Sequence, residues 1–162
     1  GAYKNGFHGD AARTIFIGTV PEETQKLVRV TKECFFEGIR YAKPGYRISD
    51  IAKAIQAHAE SLGYGVVRDL VGHGIGRNMH EDPEVPNFWD AAHFGRGARL
   101  EAGMTIAIEP MINAGTARVL QMSDGWTVVT ADGKPSAHYE NTVLITEGEP
   151  RLLTLHEEEV GA

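Results

Sequence analysis

The order of the apolar patterns limits the fold more than any other feature of this chain. Two helix-period segments come first, and the strand-like segments after them have no helix in between. The first helix starts at Pro21-Glu22-Glu23, since proline and acids suit a first turn. It runs to about Tyr41, with Leu27, Val30, Cys34, Ile39 and Tyr41 as its apolar positions, and Lys43-Pro44-Gly45 stops it. The second has Ser49 as N-cap and continues through Leu62, with Ile51, Ala52, Ile55 and Ala59 on one face. Gly63 ends it. Residues 104–108, 126–130 and 137–146 then read as strands, the last two joined by an Asp132-Gly133 turn. Near the start, the turn signal Lys4-Asn5-Gly6 predicts a hairpin whose second strand carries Asp10. A doubly wound parallel sheet needs helices between successive strands. The pattern therefore points to an α+β fold with an antiparallel sheet.

Composition narrows the function classes. A length of 162 residues suits one domain, so residues 1–162 are read as a single unit. The formal net charge is −6, which argues against direct nucleic-acid binding, because a phosphate backbone calls for a basic face. No apolar run approaches the ~20 residues of a membrane span. Cys34 is the only cysteine, which excludes an internal disulfide and a thiolate metal cage and points to the cytoplasm. The chain opens Gly1-Ala2-Tyr3-Lys4, without a signal-peptide pattern or an initiator Met, and reads as part of a longer protein. The stretch His156-Glu157-Glu158-Glu159 is expected to be solvated.

The densest chemistry lies in Gly72-His73-Gly74-Ile75-Gly76-Arg77-Asn78-Met79-His80-Glu81-Asp82-Pro83. Three glycines in five residues let the backbone approach other groups closely. A phosphate loop is excluded by the lack of a following Gly-Lys-Ser/Thr. Glu109 ends the apolar run Met104-Thr105-Ile106-Ala107-Ile108, and Glu140 interrupts the strand-like segment at 137–146. A carboxylate in apolar strand sequence is costly unless it is paired, bound to metal or turned to solvent at an edge. Asp10 is a third such acid, set among Gly9, Ala11 and Ala12. Asp10, His73, Glu109 and Glu140 together offer one imidazole among carboxylates, which suits Mn, Fe, Co or Zn. Carboxylates can also bridge two cations.

These strings resemble the catalytic half of methionine aminopeptidase, in its bacterial type I form. The resemblance rests on Gly6-Phe7-His8-Gly9-Asp10, the 72–83 run, Gly103-Met104-Thr105-Ile106-Ala107-Ile108-Glu109-Pro110-Met111, Asp124-Gly125-Trp126-Thr127-Val128 and Ser136-Ala137-His138-Tyr139-Glu140-Asn141-Thr142. It implies the pita-bread α+β fold, an antiparallel sheet flanked by helices, with the N-terminal part of that fold outside this chain. It also implies removal of the initiator methionine from nascent polypeptides, by hydrolysis through water activated by two divalent metals. Asp10, His73, Glu109 and Glu140 correspond to metal ligands, Asp10 and Glu140 bridging. Glu109 corresponds to the general base. His80 corresponds to the histidine that hydrogen-bonds the scissile amide, and Met79 and Trp126 to parts of the pocket for the Met side chain.

The family's first metal-binding Asp lies eleven residues before the position of Asp10, upstream of Gly1. A further substrate-contacting His belongs to the family's N-terminal half. The second metal site is therefore expected to be incomplete in this chain. Asn141 stands where the family more often has His. Proline-specific relatives (prolidase, aminopeptidase P) share the ligands, but Glu-Pro-Met and Asp-Gly-Trp-Thr resemble the methionine enzyme. Glu109 and Glu140 are 31 positions apart, leaving no room for the type II helical insertion. A non-catalytic binding module is the rival from another class. The resemblance further implies a monomer that acts on nascent-chain N-termini, with ribosome association of the intact protein.

Overall fold

The computed structural model describes residues 1–155, so the acidic 156–159 stretch lies outside the described residues. A short hairpin opens the chain, β1 (Ala2–Lys4) against β2 (Phe7–Gly9). Its turn places Asn5 and Gly6 at φ +52° and +87°, the left-handed conformations that an Asn-Gly hairpin loop requires. Asp10 follows immediately, between β2 and β3 (Ala11–Ala12). The helices α1 (Glu22–Ile39) and α2 (Ile48–Ser61) come next. The remaining elements are β4 (Gly65–Val66), β5 (Gly72–Gly74), β6 (Glu81–Val85), the single-turn α3 (Ala91–Phe94), β7 (Thr105–Ile108) and β8 (Met111–Asn113). They are followed by β9 (Val119–Gln121), β10 (Val128–Thr130), β11 (Ser136–His138), β12 (Glu140–Leu144) and β13 (Arg151–Leu152).

Every strand pair is antiparallel. The main sheet has the order β13-β12-β7-β5-β6, and β3 pairs with β12. A smaller sheet, β11-β8-β4, adjoins it. The two helices pack on each other, and α1 also rests on β7, β8 and β11. Their apolar faces bury Leu27, Phe35, Ile51 and Ile55 against Ile106, Ile108 and Ile112. Burial of side chains this large contributes roughly 1.5–3 kcal/mol each. Gly38 lets the helices approach closely, because a Cβ there would stand 2.8 Å from Ile55 Cγ1. The α+β class and the helix-flanked antiparallel sheet follow the pattern read from the sequence.

Three local expectations are corrected. The second helix starts at Ile48, with Arg47 as N-cap. Asp50 accepts from the Arg47 N–H at 2.8 Å, so the reciprocal acid three residues on decides the helix start, and Ser49 is buried inside the first turn. The 137–146 segment splits at Tyr139 into β11 and β12, which belong to different sheets. The strand at 128–130 pairs with β9 and not with the segment beyond Asp132-Gly133. The β9–β10 hairpin displays Leu120, Met122 and Trp126 to solvent.

Candidate metal centre

Strand pairing brings distant carboxylates together. β12 is central, with β7 on one side and β3 and β13 on the other, and its first residue is Glu140. Asp10 is tied to this strand through Thr142. The Asp10 N–H donates to Thr142 Oγ1 at 2.8 Å, and the Thr142 hydroxyl and N–H both donate to the Asp10 carbonyl. Arg13 fastens the same corner, donating to the Glu140 carbonyl at 2.5 Å and to Asn141 Oδ1 at 2.8 Å. Glu109 lies just past the end of β7, and its carbonyl accepts from Asn87 Nδ2 at 3.0 Å.

His73 enters from β5, which is squeezed between β6 and β7. Glycines flank it for a physical reason. A Cβ at Gly72 would collide with the Ala107 carbonyl, and one at Gly74 with the Asp82 carbonyl. Only glycine lets the strand sit this close on both sides. The His73 Nδ1–H donates to the Gly74 carbonyl at 2.9 Å. That bond leaves Nε2 with its lone pair toward the carboxylates, as a ligating imidazole requires.

Asp10, His73 and Glu140 present ligand atoms within 4.8 Å of one another, although 130 positions separate the first from the last. Glu109, His138 and Glu140 form a second such group, so Glu140 is common to both. Glu109 bridges the two histidines, with Oε1 3.5 Å from His73 Nε2 and Oε2 3.6 Å from His138 Nε2. Glu140 is 4% exposed, which removes the reading of this residue as a solvent-facing edge carboxylate. Its Oε1 is buried without a hydrogen-bond partner, and so is His138 Nε2. Buried polar atoms without partners cost about 1–3 kcal/mol each. Burial first, and then the charges of Glu109 and Asp10, push the Glu140 carboxyl up to about 8. A divalent cation satisfies the orphaned atoms and neutralises the crowded carboxylates, so the residues present fit the metals that the resemblance implies.

This shift carries a testable sign. The folded chain holds the Glu140 proton more tightly than the unfolded chain, where a Glu titrates near ~4.3. The resulting stabilisation is complete below that pH and is lost as pH climbs through about 8. Chelator-treated protein is therefore expected to show a lower urea midpoint at pH 9 than at pH 6. Saturating Zn(II) should remove that dependence. A midpoint that rises over this range would contradict it.

His80 stands beside His73, the two rings edge to face with centroids 4.3 Å apart. Both line a cleft of about 530 Å³, together with Asn78, Glu81 and Glu84. Met79 borders the cluster as well. A Cβ built on Gly1 would lie 3.1 Å from its Sδ and 3.6 Å from Asp10 Oδ1. Trp126, 88% exposed on the β9–β10 hairpin, is not brought into either metal-ligating group. Cys34 is buried in the helical core, and burial pushes its thiol up to about 12. His138 is the residue that the sequence reading passed over. Its signal was the spacing to Glu140, because positions i and i+2 in extended chain share a face.

The chain is 58% identical over 155 residues to the methionine aminopeptidase of Clostridium perfringens, covering 96% of this chain and 61% of that protein. It superposes on the crystal structure of Thermotoga maritima methionine aminopeptidase with a TM-score of 0.88 at 47% identity, covering 94% of this chain and 60% of that one. The prolidase of Pyrococcus furiosus aligns less well, with a TM-score of 0.71 at 26% identity over 94% of this chain and 39% of that one. The chain thus spans about three fifths of the length of the curated relatives it matches. No helix among the described residues is long and apolar enough to cross a membrane. The model of Metallopeptidase family M24 matches residues 1–147, the stretch that supplies every ligand in both groups, and this chain belongs to that family.

Proposed function

We propose that this chain carries the metal-binding part of a methionine aminopeptidase, which removes the initiator methionine from nascent polypeptides in the cytoplasm. The observation that carries this reading is the convergence of Asp10, His73, Glu109 and Glu140 in a chain 58% identical to such an enzyme. Bound divalent cations supply Lewis acidity, which polarises a peptide carbonyl and lowers the pKa of water.

The chain's own residues would do the rest. Glu109 takes the proton of the attacking water and passes it to the departing amine, a transfer that suits a carboxylate only 13% exposed. His80, which lines the cleft, donates a hydrogen bond to the scissile amide. Met79 offers a polarizable apolar surface beside the cluster, suited to a thioether side chain. Trp126 is proposed as a second wall of that pocket in the intact enzyme. Association with the ribosome and action as a monomer belong to the same reading of the intact enzyme.

The intact enzyme, loaded with Co(II), is expected to release Met from Met-Ala-Ser and to leave Lys-Ala-Ser essentially uncut. Equal cleavage of both peptides would sink the methionine specificity. Preferential cleavage before proline would replace it with the prolidase reading.

A further inference from the structure

Residues 76–80 leave β5 and return to β6 as a tight loop, and both ends of that loop are fixed. At its start, the Ile75 N–H donates to the Thr105 carbonyl at 3.1 Å, and the His8 N–H donates to the Gly76 carbonyl at 2.7 Å. At its end, Glu81 pairs with Gly74, the neighbour of His73, through a register shift between His73 and Gly74. The Glu81 backbone therefore sits on the strand pair that carries a metal-ligating residue.

The Glu81 side chain reaches back over the loop. Its Oε1 accepts from the Asn78 N–H at 2.7 Å, a length typical of bonds to an ionised acceptor. The Gly76 N–H donates to the Asn78 carbonyl at 3.1 Å, so the turn closes on Asn78 from both sides. A Cβ on Gly76 would stand 3.0 Å from Glu81 Oε2, so a side chain there would crowd the carboxylate. The bond from Glu81 to Asn78 closes a ring whose inner members are Met79 and His80. A carboxylate that holds a backbone N–H three residues earlier also fixes the start of α2, where Asp50 accepts from Arg47. Glu81 is half-buried and lines the same cleft as His73 and His80. It belongs to neither metal-ligating group among the described residues.

We infer that Glu81 is a positioning residue of the reaction, its carboxylate fixing the loop that presents His80 to the scissile amide. The inference rests on the function proposed above and deepens it.

The test compares kcat/KM on Met-Ala-Ser for the Co(II)-loaded intact enzyme as wild type, Glu81→Ala, Glu81→Gln, His80→Ala and the His80→Ala, Glu81→Ala double variant. The His80 ring resonances of the Zn(II)-loaded proteins are followed by NMR, and Co(II) affinity is measured for each. Glu81→Ala should lower kcat/KM by about 10- to 10²-fold, since misplacing a group by about 1 Å can cost that much. Glu81→Gln keeps an oxygen acceptor and should stay within about threefold of wild type. In the His80→Ala background, adding Glu81→Ala should cost less than about twofold, because one residue acts through the other. The His80 resonances should move in Glu81→Ala and hold in Glu81→Gln, with Co(II) affinity unchanged in both. Wild-type kcat/KM or unmoved His80 resonances in Glu81→Ala would overturn the inference and leave the proposed function standing. An equal loss with and without His80, or a fall in Co(II) affinity that matches the fall in rate, would do the same. Glu81→Gln as poor as Glu81→Ala would overturn the hydrogen bond to Asn78 as the cause. A wild-type enzyme that does not cleave the peptide would overturn both the inference and the reading beneath it.

Discussion

Glu109→Gln in the intact enzyme is expected to lower peptide cleavage by about 10²–10⁴-fold, the usual cost of losing a general base. The substitution changes almost nothing in shape. The Glu109 carbonyl keeps its bond from Asn87, and the side chain still reaches between His73 and His138. What disappears is a negative charge and a proton acceptor. An amide cannot take the water's proton, and it is a weaker donor to a cation. Steady-state kinetics on Met-Ala-Ser, with metal content measured on the same sample, separate the two losses. Near-normal turnover with full metal content would remove Glu109 from the chemistry.

Glu140→Gln should have the largest effect on metal binding, because Glu140 alone belongs to both ligand groups. Losing this carboxylate removes a charge from both groups, and cation affinity is expected to fall by more than about 10–100-fold, the range seen for mere supporting residues. The same substitution should stabilise the chelator-treated protein at pH 9. At that pH the wild type carries a buried charge on Glu140, opposed by Glu109 and Asp10, and Gln carries none. Weaker metal binding with a higher metal-free urea midpoint is a pairing that simple misfolding cannot produce. A variant that keeps the wild-type cation affinity would show that Glu140 is not a ligand.

Much of the site was legible because its residues break local rules. Glu109 and Glu140 stand in apolar strand sequence, and His73 is flanked by glycines where a core histidine would want bulk around it. Each anomaly is visible in a window of a few residues. The helices were equally plain, since their period repeats over three or more turns, although Asp50 and not Ser49 sets the start of the second. The rest depended on long-range pairing. Nothing within 126–130 says that its partner is β9, because three-residue strands carry too little pattern to choose among neighbours. Nothing near Thr14 announces that its hydroxyl fixes the backbone of His138, 124 positions away. The run Thr14-Ile15-Phe16-Ile17 has strong β character, yet it forms no strand, and Ile15 and Ile17 are largely exposed. β propensity takes effect only where a partner edge is available. His138 was missed for a related reason. A histidine among small and aromatic residues is ordinary until the fold turns it toward two glutamates.

The central claim is that this fold gathers Asp10, His73, Glu109 and Glu140 into one centre for divalent cations. Anomalous diffraction from crystals of the chain grown with Co(II) tests it most directly. The account predicts a peak among Asp10, His73, Glu109 and Glu140. Well-ordered crystals with no peak among these residues, at a Co(II) concentration that saturates binding in solution, would contradict it.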